Sequence, residues 1–312
     1  MNTKETIDAI LAETGKAVLG KDDVLRRILT AILAGGHILI DDIPGVGKTT
    51  MAVAFTRTLG LDYKRMQFTP DVLPSDITGF SMYDKASGSF RYVAGSAMTN
   101  FFLADEINRA SPKTQSALLE VMQEGRLSVD GKTYAVPQPF IVMATQNPFG
   151  SSGTQELPES QTDRFMIRIT VGYPSRENEI EILKGSRRSA ALSLSAVITP
   201  DDLLSLRKQA AEVHVEDSLF AYMVDIAAAT RESHDISLGI SPRGTMALSA
   251  MTRAHALMEG RAYATPDDVL AVAPYTLSHR ITLSGDARFA GKTAASVLDD
   301  ILKSVPMPEL VY

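Results

Sequence analysis

One heptapeptide constrains this chain more than anything else in it: Ile43-Pro44-Gly45-Val46-Gly47-Lys48-Thr49, set between the short apolar run His37-Ile38-Leu39-Ile40 and a helical stretch from Lys48 to Leu59. Glycines permit the unusual dihedrals that turn successive N–H groups inward, and the following helix offers its positive end, so a strand–loop–helix unit of this kind wraps an anion. Lys48 would then neutralise the β- and γ-phosphates of a nucleotide and Thr49 would ligate Mg²⁺, with Pro44, Gly45, Val46, Gly47 and Thr50 expected to complete the binding set. Ordinary turns also produce a bare Gly-Lys-Thr; the weight lies in the strand before it and the helix after it. Asp42 departs from the full G-x-x-x-x-G-K-[ST] pattern, standing where its first glycine belongs.

A loop of this kind needs a sheet to hang from. Further short apolar runs occur at Arg65 to Phe68, Asn100 to Ala104, Phe140 to Thr145 and Phe165 to Val171. Continuous apolar strands separated by helices predict a parallel sheet covered on both faces. One such helix, Asp22 to Leu33, sets Val24, Leu25, Ile28, Leu29, Ile32 and Leu33 on one stripe, and another begins at Ser111-Pro112 with an N-cap and a first-turn proline. Two hairpins are expected to protrude: Leu127–Val129 with Thr133–Val136 around Asp130-Gly131, and an alternating stretch from Phe80 to Val93. After Tyr173-Pro174 the strand signal disappears, and helices are predicted at 177–188, 201–212, 217–232, 243–259 and 267–280. Thr-Pro-Asp-Asp occurs twice among them, at 199–202 and 265–268, as capping chemistry. The fold class expected is α/β, a parallel-sheet core over 1–173 with hairpin insertions, followed by an all-helical unit over 174–312.

Composition narrows the function. With no cysteine, disulfides and thiolate metal sites are excluded, which fits the cytoplasm, and no signal peptide or membrane span is expected. A net charge of −6 makes nucleic acid an unlikely partner, and the five scattered histidines lack metal-ligand spacing.

Phe101-Phe102-Leu103-Ala104-Asp105-Glu106 is an apolar strand ending in two carboxylates, at the end of a parallel sheet where ligands bind. Asp105 would hold Mg²⁺ through water and Glu106 would polarise the attacking water; the competing reading is two solvated acids entering a helix. Asn147 ends the next strand, where its amide could hold that water, unless Asn-Pro is simply a turn. Arg164 could reach a neighbouring subunit's nucleotide, or pair on the surface with Asp163 or Glu159. Arg243 opens a helix, where the dipole disfavours a cation unless a phosphate is adjacent.

The strings IPGVGKT, QFTPDVLPSDITG, FLADEINRASPKTQSALLEVMQEG, FIVMATQNP, LPESQTDRF and SPRG, in that order from about Val18 to about Arg280, closely resemble the MoxR family of AAA+ ATPases. The resemblance implies a P-loop core with a helix-two insertion and a pre-sensor hairpin, followed by a helical lid. It implies hydrolysis of ATP to ADP and phosphate, with Asn147 as sensor one, Arg164 as arginine finger, Arg243 as sensor two, and Val18-Leu19-Gly20 near the adenine. Arg109 would be a second arginine at the subunit boundary. Ring assembly, as a hexamer, and chaperone-like maturation of a protein client or metal insertion follow from the same resemblance, with a von Willebrand factor A domain protein as partner. Gly95-Ser96 stands where the family more often has Gly-Pro, a change expected to loosen the exit of the insertion. Two rival functions share these motifs: a nucleic-acid motor, for which Lys85, Arg91, Arg126 and Lys132 supply hairpin cations, and a nucleotide-gated scaffold of slow turnover.

Overall fold

The computed structural model describes residues 2–43, 45–147, 157–184 and 193–309; Pro44 and the end of the helix expected at 177–188 lie outside them. α1 (Thr3–Gly15) starts at a capping box, in which the Asn2 side chain accepts from the Glu5 N–H and the Glu5 carboxylate accepts from Asn2 N. α2 (Asp22–Leu33) turns all six residues of its apolar stripe inward. β1 (Ile38–Asp41) leads through the glycine loop into α3 (Lys48–Thr58), and β2 (Tyr63–Gln67) follows. α4 (Pro74–Thr78) precedes the hairpin of β3 (Gly79–Asp84) and β4 (Ser89–Ala94). β5 (Phe101–Asp105) runs through a 3₁₀ turn, Ile107–Arg109, to α5 (Pro112–Glu124), capped by Ser111. β6 (Arg126–Val129) and β7 (Lys132–Ala135) turn on Asp130 and Gly131, whose φ values of 49° and 74° are the left-handed pair that a tight hairpin demands. β8 (Ile141–Gln146), α6 (Glu159–Thr162) and β9 (Ile167–Ile169) complete this half.

The five sheet strands run parallel in the order β2-β5-β8-β1-β9. Their pleat sorts side chains between two cores. Ile38, Ile40, Phe101, Leu103, Ile141 and Met143 face α1, α2 and α3, whereas Leu39, Phe102, Ala104, Val142 and Ala144 face α5 and Phe68. Both faces are dry, which is why the strands read as continuous apolar runs. β2 departs from that expectation: it lies at the sheet edge and exposes Lys64 and Arg65.

The two insertion hairpins meet through Tyr92 and Tyr134, stacked with centroids 4.0 Å apart. The insertion exit is held, not loosened: Ser96 N donates to Asp76 O at 2.9 Å, a bond that a proline could not make.

Beyond residue 173 the described chain is mainly helical: α7 (Arg176–Leu183), α8 (Pro200–Glu212), α9 (Asp217–Glu232), β10 (Ile236–Leu238), α10 (Pro242–Met258), α11 (Pro266–Leu277), β11 (Thr282–Leu283), α12 (Gly285–Phe289) and α13 (Ala294–Ser304). Both Thr-Pro-Asp-Asp segments form the expected capping boxes. The short antiparallel pair β10–β11 was not expected; runs of three and two residues are too short to show an alternation. Leu203, Leu206, Met251 and Val269 join the core that also contains Ile28 and Ile32 of α2, so the helical layer is packed on the sheet half through α2. Among the described residues no helix is long and apolar enough to cross a membrane.

Candidate functional site

The loop after β1 is built as its glycines predict. Gly45 and Gly47 have φ of 87° and 92°, and a Cβ added at either would meet nothing within 4 Å, so backbone conformation alone demands glycine there. Lys48 opens α3 and donates from Nζ to the Asp42 carbonyl at 2.5 Å. Partial burial pushes its ammonium below the usual lysine value, while Asp42, Asp105, Asp41 and Glu106 pull it back up. One lysine thus lies in the field of four carboxylates from the ends of β1 and β5.

The two acids after Ala104 are individually held. Thr145 of β8 donates to Asp105 Oδ1 at 2.6 Å and accepts from Glu106 N at 2.9 Å, while Arg65 of β2 donates to Asp105 Oδ2 at 2.7 Å. Glu106 is left-handed, with φ 56° and ψ 47°, a costly conformation for a residue with a Cβ, and it turns the chain out of β5. Its carboxylate accepts from Arg109 at 2.8 Å, which places Arg109 beside the acids at the end of β5. Thr49 and Thr50 are half-buried in the first turn of α3. Asn147 follows Gln146, which is in register with Asp41, so it stands level with Asp42 at the mouth of the loop.

Val18, Leu19, Gly45, Val46, Gly47 and Thr50 share one cavity of about 570 Å³, which Pro174, Ile182 and Leu183 also line. Gly20 is left-handed, and a Cβ on it would fall 2.0 Å from the Asn178 side chain, so the segment before α2 packs directly on α7.

Asp42 has a structural explanation. Its buried carboxylate accepts from Ile43 N at 2.7 Å, Val171 N at 2.5 Å and Gly172 N at 2.6 Å, tying the start of the glycine loop to the segment that leaves β9. Lys21 holds the same segment from its carbonyl side, donating to Val171 O at 2.7 Å and Tyr173 O at 2.8 Å. Lys21 lies outside the loop pattern and Asp42 departs from it, and only the fold brings them to that segment.

Two expected residues are not joined to this group. Arg164 lines a different cavity, with Glu120, Glu124 and Arg126, and its Nε is buried without a hydrogen-bond partner. Asp163 pairs with Arg280 instead, and among the described residues no ion pair joins Arg164 to either Asp163 or Glu159. Arg243 is exposed in the first turn of α10 and makes no ion pair among the described residues.

Comparison with known proteins agrees with this architecture. A family model described as the ATPase family associated with various cellular activities (AAA) matches residues 37–167, and one described as the AAA lid domain matches 228–301. A solved candidate ATPase from Cytophaga hutchinsonii superposes with a TM-score of 0.91 at 36% identity, covering 98% of this chain and 96% of that one. An uncharacterized protein of Bacillus subtilis, YeaC, is 45% identical over 94% of this chain and 92% of its own length. Chaperone MoxR1 of Mycobacterium tuberculosis is 39% identical over 98% of this chain and 83% of its own length. With both halves matched and the likeness running nearly end to end, the chain belongs to the MoxR family of AAA+ ATPases, a nucleotide-binding family.

Proposed function

We propose that this chain binds Mg-ATP in the cavity between Val18-Leu19-Gly20 and the glycine loop, hydrolyses it, and uses the cycle to remodel a protein client. The observation that carries this is the open glycine loop, left-handed at Gly45 and Gly47, that lines this cavity with Val18 and Leu19 and leads into Lys48, in the field of Asp105 and Glu106. The division into an ATPase core, 1–173, and a lid, 174–312, belongs to the same reading.

In this reading the open N–H groups of residues 45–49 surround the phosphates, and Lys48 exchanges the Asp42 carbonyl for them. Thr49 and Asp105 are the hard oxygen donors that Mg²⁺ prefers, and a carboxylate oxygen already accepting one hydrogen bond retains a second lone pair. The metal would neutralise charge on the phosphates when bound. Glu106 accepts a proton from the attacking water once Arg109 releases it, and Asn147 orients that water from the neighbouring strand. Arg164 serves the nucleotide of the next protomer and Arg243 that of its own, which is supported by the absence of ion pairs around both among the described residues. The assembly is a ring, a hexamer, in the cytoplasm.

A protein client is favoured over nucleic acid by the β3–β4 hairpin, where Phe80, Met82, Tyr83 and Phe90 are exposed, on a chain of net charge −6. The name of the mycobacterial relative, a chaperone, points the same way, and a von Willebrand factor A domain protein is the client class we propose.

Two variants test this. Lys48→Ala should weaken ATP binding about 100-fold, because a charged donor to the phosphates is lost. Glu106→Gln should bind ATP normally and stop hydrolysing it, and its stalled ring should retain the client in affinity capture. Unchanged ATP affinity in the first would sink the phosphate assignment, wild-type turnover in the second would remove Glu106 from the chemistry, and recovery of nucleic acid would replace the client class.

A further inference from the structure

The turn that carries Arg164 is gripped from the lid side by an arginine whose donors are all used. Arg280 follows α11 and its side chain is 2% exposed. Its Nε donates to Asp163 Oδ1 at 2.8 Å; one terminal nitrogen, Nη2, donates to Phe165 O at 2.7 Å and Asp163 O at 3.2 Å; the other, Nη1, to Met166 O at 3.2 Å and to Thr276 O. A guanidinium has five N–H groups, and these are five acceptors. Four of them belong to residues 163, 165 and 166, on either side of Arg164. His279 adds a contact to Phe165 O at 3.2 Å, and Phe165 is fully buried. The backbone around Arg164 is therefore fixed on both sides while its own side chain makes no hydrogen bond among the described residues.

The second Asp163 oxygen leads elsewhere. Ser241, the N-cap of α10, donates to Asp163 Oδ2 at 3.0 Å, so this carboxylate touches the start of the helix that carries Arg243. Gly244 in the same turn is shaped for the junction: a Cβ there would fall 2.8 Å from Arg280 Cδ and 2.7 Å from Ile240 Cγ2. The glycine of Ser-Pro-Arg-Gly thus leaves the notch through which Arg280 passes to reach the Arg164 turn.

We propose that Asp163 is a positioning residue: by binding Arg280 and Ser241 together it sets Arg164 in register with the lid, so that the lid of one protomer controls how Arg164 is presented to the next. This rests on Arg164 acting across the subunit boundary. A buried ion pair is poor evidence of stabilisation by itself. What it supplies here is a fixed geometry, since a lysine could supply the charge but not the fork.

The test separates the protomer that binds ATP from the one that supplies the arginine. Arg164→Ala protomers, which keep an intact nucleotide cleft, are mixed with Lys48→Ala protomers, which keep Arg164; the restored hydrolysis is the reference. The second partner is then replaced by the double variant Lys48→Ala, Asp163→Asn. The restored kcat should fall by at least about 10-fold, with KM for ATP unchanged, because the nucleotide sits only in protomers whose Asp163, Ser241 and Arg280 are intact. A kcat within about 2-fold of the reference overturns the proposal and leaves the Arg164 reading standing. If the reference mixture itself restores nothing although mixed rings form, the Arg164 reading fails and takes this inference with it. Should the Asp163→Asn donor melt early, Ser241→Ala in its place removes one hydrogen bond and leaves the ion pair. That donor should lower kcat about 3-fold at constant KM, and equality with the reference overturns the proposal.

Discussion

The nucleotide cleft and the lid junction both hold arginine–carboxylate pairs, but under opposite conditions. In the cleft, Arg65 on Asp105 and Arg109 on Glu106 have side chains 46% and 41% exposed, and each carboxylate has one guanidinium on it. At the junction, Arg280 is 2% exposed and its five donors are all satisfied. Exposed pairs are screened and exchange partners at a cost of about 0–1 kcal/mol, whereas breaking a buried one leaves an uncompensated charge costing about 3–5 kcal/mol. The cleft is thus free to release its carboxylates to a ligand, and the junction is built to stay as it is. Arg164 lies between the two regimes, with fixed backbone and uncommitted side chain.

That contrast can be broken most directly at Arg164 itself. Arg164→Ala should lower hydrolysis by about 10³-fold or more while ATP affinity and the unfolding transition stay in place, since the side chain contributes to the rate and not to the packing. Normal turnover in that variant would return Arg164 to the surface. Next in size, Asp163→Ala should cost about 3–5 kcal/mol in urea unfolding, because Arg280 loses the one carboxylate it pairs with among the described residues. A loss below about 1 kcal/mol would show the junction to be as yielding as the cleft.

A third measurement extends the contrast to the sheet. His37 is buried at the start of β1, with Nδ1 accepting from Val142 N at 3.0 Å and Nε2 facing Met122 O at 3.0 Å. Burial pushes its pKa down to about 4 from the usual 6.5, so the unfolded chain takes up the proton first. Stability is therefore complete above pH 6.5 and falls as the pH drops from 6.5 towards 4, by about 3 kcal/mol from this group. An imidazole that NMR shows charging near pH 6.5 in the folded protein would contradict this placement. The smallest effect belongs to Arg65→Ala, expected to change unfolding free energy by less than about 1 kcal/mol; a larger loss would mean that the cleft pairs are structural after all.

The sequence made the cleft legible because its chemistry is local. Gly45, Gly47 and Lys48 act through their own backbone dihedrals and the helix they begin; the acids of the cleft adjoin a run that can be recognised as a strand; and Asp130-Gly131 and the two Thr-Pro-Asp-Asp caps specify turns within four residues. Asp42 was visible only as an irregularity, and nothing around Thr145 marks the hydroxyl that holds both acids. Their partners lie between about 40 and 130 residues away, at Asp105 and at Val171 and Gly172. The junction was the least legible part, since Asp163 reads most simply as a partner for its neighbour Arg164, and Arg280 as the charged end of a helix. Only the packing of α10 and α11 against the Arg164 turn decides otherwise. A buried guanidinium needs five acceptors, and no local segment of chain can supply them.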